Sequence, residues 1–184
     1  KVQFCSLIQP HVNQTKKKAA KMKQILAIQD TCFISYGKHV SVVGLSEIGG
    51  ETGGKGIILH TALAVDPGQK YPEVIGLLDQ YIRRRTTKVD KNETYLESQE
   101  RWRESKMWEE TSQRISLNTE TQIIEIMDRE GDVFDVIDNC ISIKHDFVIR
   151  AKNDRFLDGE SGEKLFTFVK NLKSQGTLNL RIRK

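Results

Sequence analysis

The chain holds 184 residues, 38% hydrophobic and 29% charged, with a net charge of +4 and a pI near 8.9. That length suits one domain of ordinary size, and a basic balance fits an anionic partner without requiring one. Apolar runs such as Ile57 to Val65 and Ile123 to Met127 exclude a wholly disordered chain, and no stretch nears the ~20 apolar residues of a membrane helix.

In chain order, His11 to Met22 follows Pro10 and is polar and basic, which predicts a surface helix. Its lysines, Lys16, Lys17, Lys18, Lys21 and Lys23, form the first of three basic clusters; Arg83, Arg84 and Arg85 form the second, and Arg181, Arg183 and Lys184 the third. Residues 1–23 read as a basic helical segment ahead of a main body over 24–184. Gln24 to Asp30 has the length and isoleucine content of a buried strand ending in an acid. A loop of about twenty residues follows, rich in glycine, a length that usually marks function or mobility. Lys55 is followed by Gly56 rather than Ser or Thr, so the loop is no Walker-type phosphate cradle.

Ile57 to Asp66 and Val74 to Ile82 read as a hairpin turned by Pro67 and Gly68. Tyr95 to Thr111 reads as a helix with Glu97 and Arg101 one turn apart. Thr121 to Asp128 is a second apolar strand ending in an acid. Asp132 to Ile143 then shows a helical face of Val133, Val136, Ile137, Cys140 and Ile141. Asp146 to Lys152 reads as a strand, and Lys164 to Leu172 as a helix with Leu165, Phe168, Val169 and Leu172 on one side. The order predicts an α/β fold, a mixed sheet with flanking helices. Cys5, Cys32 and Cys140 are odd in number and far apart, which argues against structural zinc and disulfides and points to a reducing cytoplasm.

Asp30 and Asp128 are the residues that suggest chemistry. Ligands of α/β sheets gather at strand carboxyl ends. On neighbouring parallel strands the two carboxylates would meet and repel, and a divalent cation resolves that conflict. Mg²⁺ takes one or two carboxylates and leaves positions for water and phosphate. The alternative is that each aspartate caps a turn or a helix, Asp128 especially. Glu130 and Asp132 could touch a metal but fit first-turn helix acids better, and His60 fits a strand-face histidine rather than a ligand. Arg150, Lys152 and Arg155 follow the last strand, as solvated strand-end residues or as phosphate contacts.

Ile28-Gln29-Asp30-Thr31, Asp128-Arg129-Glu130-Gly131-Asp132 and the strand Phe147 to Lys152 occur together in that order. With Pro10-His11 before a helix, and Glu97-Ser98 and Trp102 before the second aspartate, this resembles the DDE transposases of bacterial insertion sequences, the insertion sequence four family. The resemblance covers nearly the whole chain. It implies an RNase H-like core in which Asp30 and Asp128 are catalytic ligands of Mg²⁺ or Mn²⁺. It also implies double-stranded DNA as partner, contacted by Arg150, Lys152 and Arg155, a bacterial cytoplasmic, nucleoid-associated setting, and a homodimer as an option for the full-length protein.

The family's third ligand, a glutamate in a Tyr-x2-Arg-x3-Glu-x6-Lys motif, has no match, since Tyr36, Tyr71, Tyr81 and Tyr95 all precede Asp128. The chain starts at Lys1 and stops inside the alternating run Leu178 to Arg183, which resembles the start of the family's inserted β segment. It therefore reads as an excerpt cut before the glutamate, inactive alone. Two rivals stand beside this reading: an inactive DNA-binding remnant, and an RNase H-type metal nuclease completed by Glu97.

Overall fold

A computed structural model describes residues 3–37, 41–48, 54–68, 71–84, 103–117, 120–157, 162–177 and 179. The chain divides into two compact units, residues 1–150 and 151–184.

In the first unit, helix α1 spans Phe4–Ala19. It begins earlier than the sequence suggests and carries Pro10 within it. The proline ring is exposed, so no neighbouring element is disturbed, but the helix forgoes the bond to the Ser6 carbonyl and must ease the ring past that group. Lys16, Lys17 and Lys18 occupy its last turn, where cations suit the helix dipole. Strands β1 (Gln24–Ser35), β2 (Ser46–Glu47), β3 (Lys55–Asp66) and β4 (Glu73–Arg83) follow, then helix α2 (Lys106–Ile115), β5 (Gln122–Met127), helix α3 (Phe134–Ser142) and β6 (Asp146–Ile149). Residues 85–102, with Glu97 and Trp102, lie outside the described residues.

The sheet is mixed and open. β1, β3 and β4 are antiparallel neighbours, β5 joins β1 in parallel and β6 joins β5 in parallel, while the short β2 pairs with the start of β3. The hairpin of β3 and β4 is as expected, with the Gly68 N–H held by Asp66 Oδ1 at 2.7 Å. β1 differs from expectation. It does not end at Asp30 but runs through it to Ser35, because Thr31, Cys32, Phe33 and Ile34 find antiparallel partners along β3.

Strand alternation sorts side chains to two faces. Ile25, Ala27, Ile58, Ala62, Ala64, Leu78, Ile123 and Met127 are buried on one face. There they meet Ala19 of α1, Ile115 and Trp108 of α2, and Val136 and Cys140 of α3. α1 reaches β4 at Gly76, whose φ of +150° and lack of a side chain admit Thr15 and His11; His11 Nε2 accepts the Leu77 N–H at 3.1 Å. Ile141, expected on the buried side of α3, is exposed. The other face keeps Ile28, Ile34, Ile82 and Val148 at 36% to 60% exposure.

The second unit holds helix α4 (Leu165–Asn171), and Phe156 bridges to Lys164 ahead of it. Phe168, Val169 and Leu172 of its apolar side are exposed. Of the run Leu178 to Arg183, only Asn179 lies among the described residues. No helix of the described residues is long and apolar enough to cross a membrane.

Candidate metal centre

The β1–β5 ladder pairs each residue with the one 98 positions on, from Gln24 with Gln122 to Ile28 with Ile126. Continued by two residues, that register sets Asp30 level with Asp128. Adjacent strands run about 4.8 Å apart, a spacing two carboxylates can share around one cation. The β5–β6 ladder pairs Met127 with Ile149, and the Arg150 N–H continues it by donating to the Met127 carbonyl at 3.2 Å. Arg150 thereby follows Asp128 in step. On the opposite flank Asp30 pairs with Thr61 of β3, and Thr61 with Gln80 of β4. One polar row, Gln80, Thr61, Asp30, Asp128 and Arg150, thus crosses the open face. The row beside it, Leu63, Ile28, Ile126 and Val148, is apolar.

Each aspartate has one oxygen committed locally. Asp30 Oδ1 accepts the Thr31 N–H at 2.8 Å, and Asp128 Oδ1 accepts the Glu130 N–H at 2.7 Å in a side-chain turn. Both are exposed. Among the described residues the second oxygen of each has no hydrogen-bond partner, and such a donor set suits a hard divalent ion that retains water. No group of three His, Cys, Asp or Glu side chains gathers for a metal among the described residues, so the pair alone is the candidate. Of the three basic residues, Arg150 joins this row. Lys152 and Arg155 belong to the second unit, where the Arg155 carbonyl accepts the Leu165 N–H at 2.9 Å.

Beneath the row lies a buried polar chain that the sequence reading passed over. His60 is 1% exposed, as a strand-face histidine should be. Burial, aided by the Arg114 guanidinium, pulls its imidazole down to about 4, so the ring is neutral at pH 7. Gln29 Oε1, which can only accept, lies 3.0 Å from Nε2; the ring therefore donates there. Nδ1 then accepts the Thr31 hydroxyl at 2.7 Å. The Gln29 amide donates to Glu125 Oε2 at 2.5 Å, Ser112 Oγ donates to the same oxygen at 2.6 Å, and His145 Nδ1 lies 2.6 Å from Glu125 Oε1. The edge of Trp108 closes on His60 at 4.8 Å between ring centres. A signal existed: Gln29 and Glu125 stand in the inward phase of their strands, after Ala27 and Ile123.

No family model matches this chain, and no curated protein matches it.

Proposed function

We propose that the first unit is an RNase H-like catalytic core of transposase type, acting on phosphodiester bonds of double-stranded DNA with Mg²⁺ or Mn²⁺. The observation that carries this reading is the parallel register of β1 and β5, which, continued two residues past its last pair, Ile28 with Ile126, brings Asp30 and Asp128 to one level. Support also comes from the strand order: three antiparallel strands at the start, then two added in parallel on the far side of β1. A bound divalent ion supplies charge neutralisation and an acidified water or hydroxyl for in-line displacement. The chain's own part would be to present two carboxylate oxygens at one level and to bring Arg150 to that level one strand away, its guanidinium suited to a phosphate oxygen.

Titration with Mn²⁺, followed by water-proton relaxation, tests the reading. Two carboxylates should bind weakly, and Asp30→Ala and Asp128→Ala should each abolish the effect. Equal relaxation in the parent chain and both variants would remove the assignment. A second measurement addresses the partner: duplex DNA binding should weaken steeply with salt, and neutralising Arg150, Lys152 and Arg155 together should flatten that dependence.

A further inference from the structure

We infer that His60 acts as a staple beneath Asp30, and that Thr31, Gln29 and His60 are positioning residues for the carboxylate pair. This rests on the metal reading above. The ladder between β1 and β5 ends at Ile28 and Ile126. Beyond it, among the described residues, β1 pairs with β3 alone in the stretch that bears Asp30. Such a half-supported strand can twist or lift away from its parallel neighbour. Strand geometry sends Gln29 and Thr31, on either side of Asp30, to the face opposite the carboxylate.

Both are caught there by one imidazole. Thr31 Oγ1 meets Nδ1 at 2.7 Å and Gln29 Oε1 meets Nε2 at 3.0 Å. The ring cannot rotate without losing both bonds, and Trp108 packs against it. Gln29 then carries the linkage onward to Glu125, three residues before Asp128 on β5. Gln29, one residue past the last paired residue of β1, therefore reaches back to Glu125, the partner of Ala27 inside the ladder, and ties the start of the half-supported stretch to β5. Asp30 is thereby fixed relative to β5, the strand that leads into Asp128, by groups that would not themselves touch an ion. Outer partners of metal ligands act by orienting the ligand; here the orientation passes through one residue of backbone.

The test compares Thr31→Val, which keeps the branched shape and deletes the hydroxyl, with Thr31→Ser, which keeps the hydroxyl. Gln29→Met is the second disruptive variant. Ile115→Val, a core change in α2 away from the staple, controls for loss of stability. Mn²⁺ dissociation constants are measured by water-proton relaxation on the 184-residue chain, with circular dichroism confirming that each variant is folded. Removing a partner bonded directly to a ligand costs ~10–100-fold in metal affinity. Acting one residue away, Thr31→Val and Gln29→Met should weaken binding about 3- to 10-fold, while Thr31→Ser and Ile115→Val bind as the parent does. Parent-like affinity in both Thr31→Val and Gln29→Met overturns the staple. Equal weakening in Ile115→Val also overturns it, by reducing the effect to stability. If the parent chain binds no more Mn²⁺ than Asp30→Ala does, the metal reading itself has failed, and the staple's role falls with it.

Discussion

The two faces of this sheet carry acids under opposite conditions. Glu125 on the covered face is 0% exposed, and its oxygens meet an amide, a hydroxyl and an imidazole. Asp30 and Asp128 on the open face are exposed, and each accepts one backbone N–H. A buried acid is tolerated only when its hydrogen-bonding capacity is met by the protein. An acid on the open face keeps capacity in reserve. Saturation marks the structural acid, and the unspent oxygen marks the candidate ligand.

The sharpest way to break this contrast is to delete an acid from each face. Glu125→Ala strips the acceptor from Gln29, Ser112 and His145 inside the core and should cost about 3–5 kcal/mol. Asp30→Ala should change stability by less than about 0.5 kcal/mol, as exposed substitutions do. Denaturant midpoints measure both; similar losses would mean that the faces do not divide the labour this way.

Acid should probe the covered face next. The folded protein holds the His60 imidazole near 4, whereas an unfolded chain has it at its usual 6.5. Between those values the unfolded state binds the proton that the folded state refuses. Stability is therefore complete above about pH 6.5 and falls as pH drops toward 4, by roughly 3 kcal/mol in all. His60→Gln should flatten that limb, as read from unfolding midpoints between pH 4 and 7. An unchanged acid limb in His60→Gln would assign it to another group.

The smallest effect is one of reactivity. Cys32 is exposed two residues beyond Asp30, while Cys140 is buried in α3. Burial, with a contribution from Glu125, pushes the Cys140 thiol up to about 12. A maleimide added to native protein should modify Cys5 and Cys32 within minutes and leave Cys140 until the chain unfolds. Rapid labelling of Cys140 would show the covered face to be open.

Much of this was legible in the sequence. Apolar runs located β1, β3, β4, β5 and β6, and the separation of Asp30 from Asp128 matches the ladder offset of the parallel pair. Local pattern could not give the extent of β1 past Asp30, because its partner is the distant strand β3 and Thr31 to Ser35 carry little hydrophobic alternation. Nor could it give the role of Gln29. Within Ile28-Gln29-Asp30-Thr31 the glutamine looks like a neighbour of the interesting residue, and only the partners His60 and Glu125 show what it holds. Helix α1 also starts six residues ahead of Pro10: proline biases a helix start, but local pattern does not show that Val12, Thr15 and Ala19 are buried and hold the helix in place.

The aspartates also differ from each other in mechanical support. Asp30 is embedded midway along a long strand, pinned to β3 and flanked by anchored neighbours. Asp128 stands one residue past the end of β5, on a turn closed by the Glu130 and Gly131 N–H groups. Gly131 lies so close to Met127 that an added Cβ would come within 2.8 Å of that side chain. On the metal reading proposed above, the pair would act as a vice with one fixed jaw and one hinged jaw: an ion of a different radius would be accommodated by the turn after β5 while β1 held the reference position. Backbone amide exchange should report this asymmetry: slow at Asp30 with or without Mn²⁺, and slowed by the ion at Glu130 and Gly131.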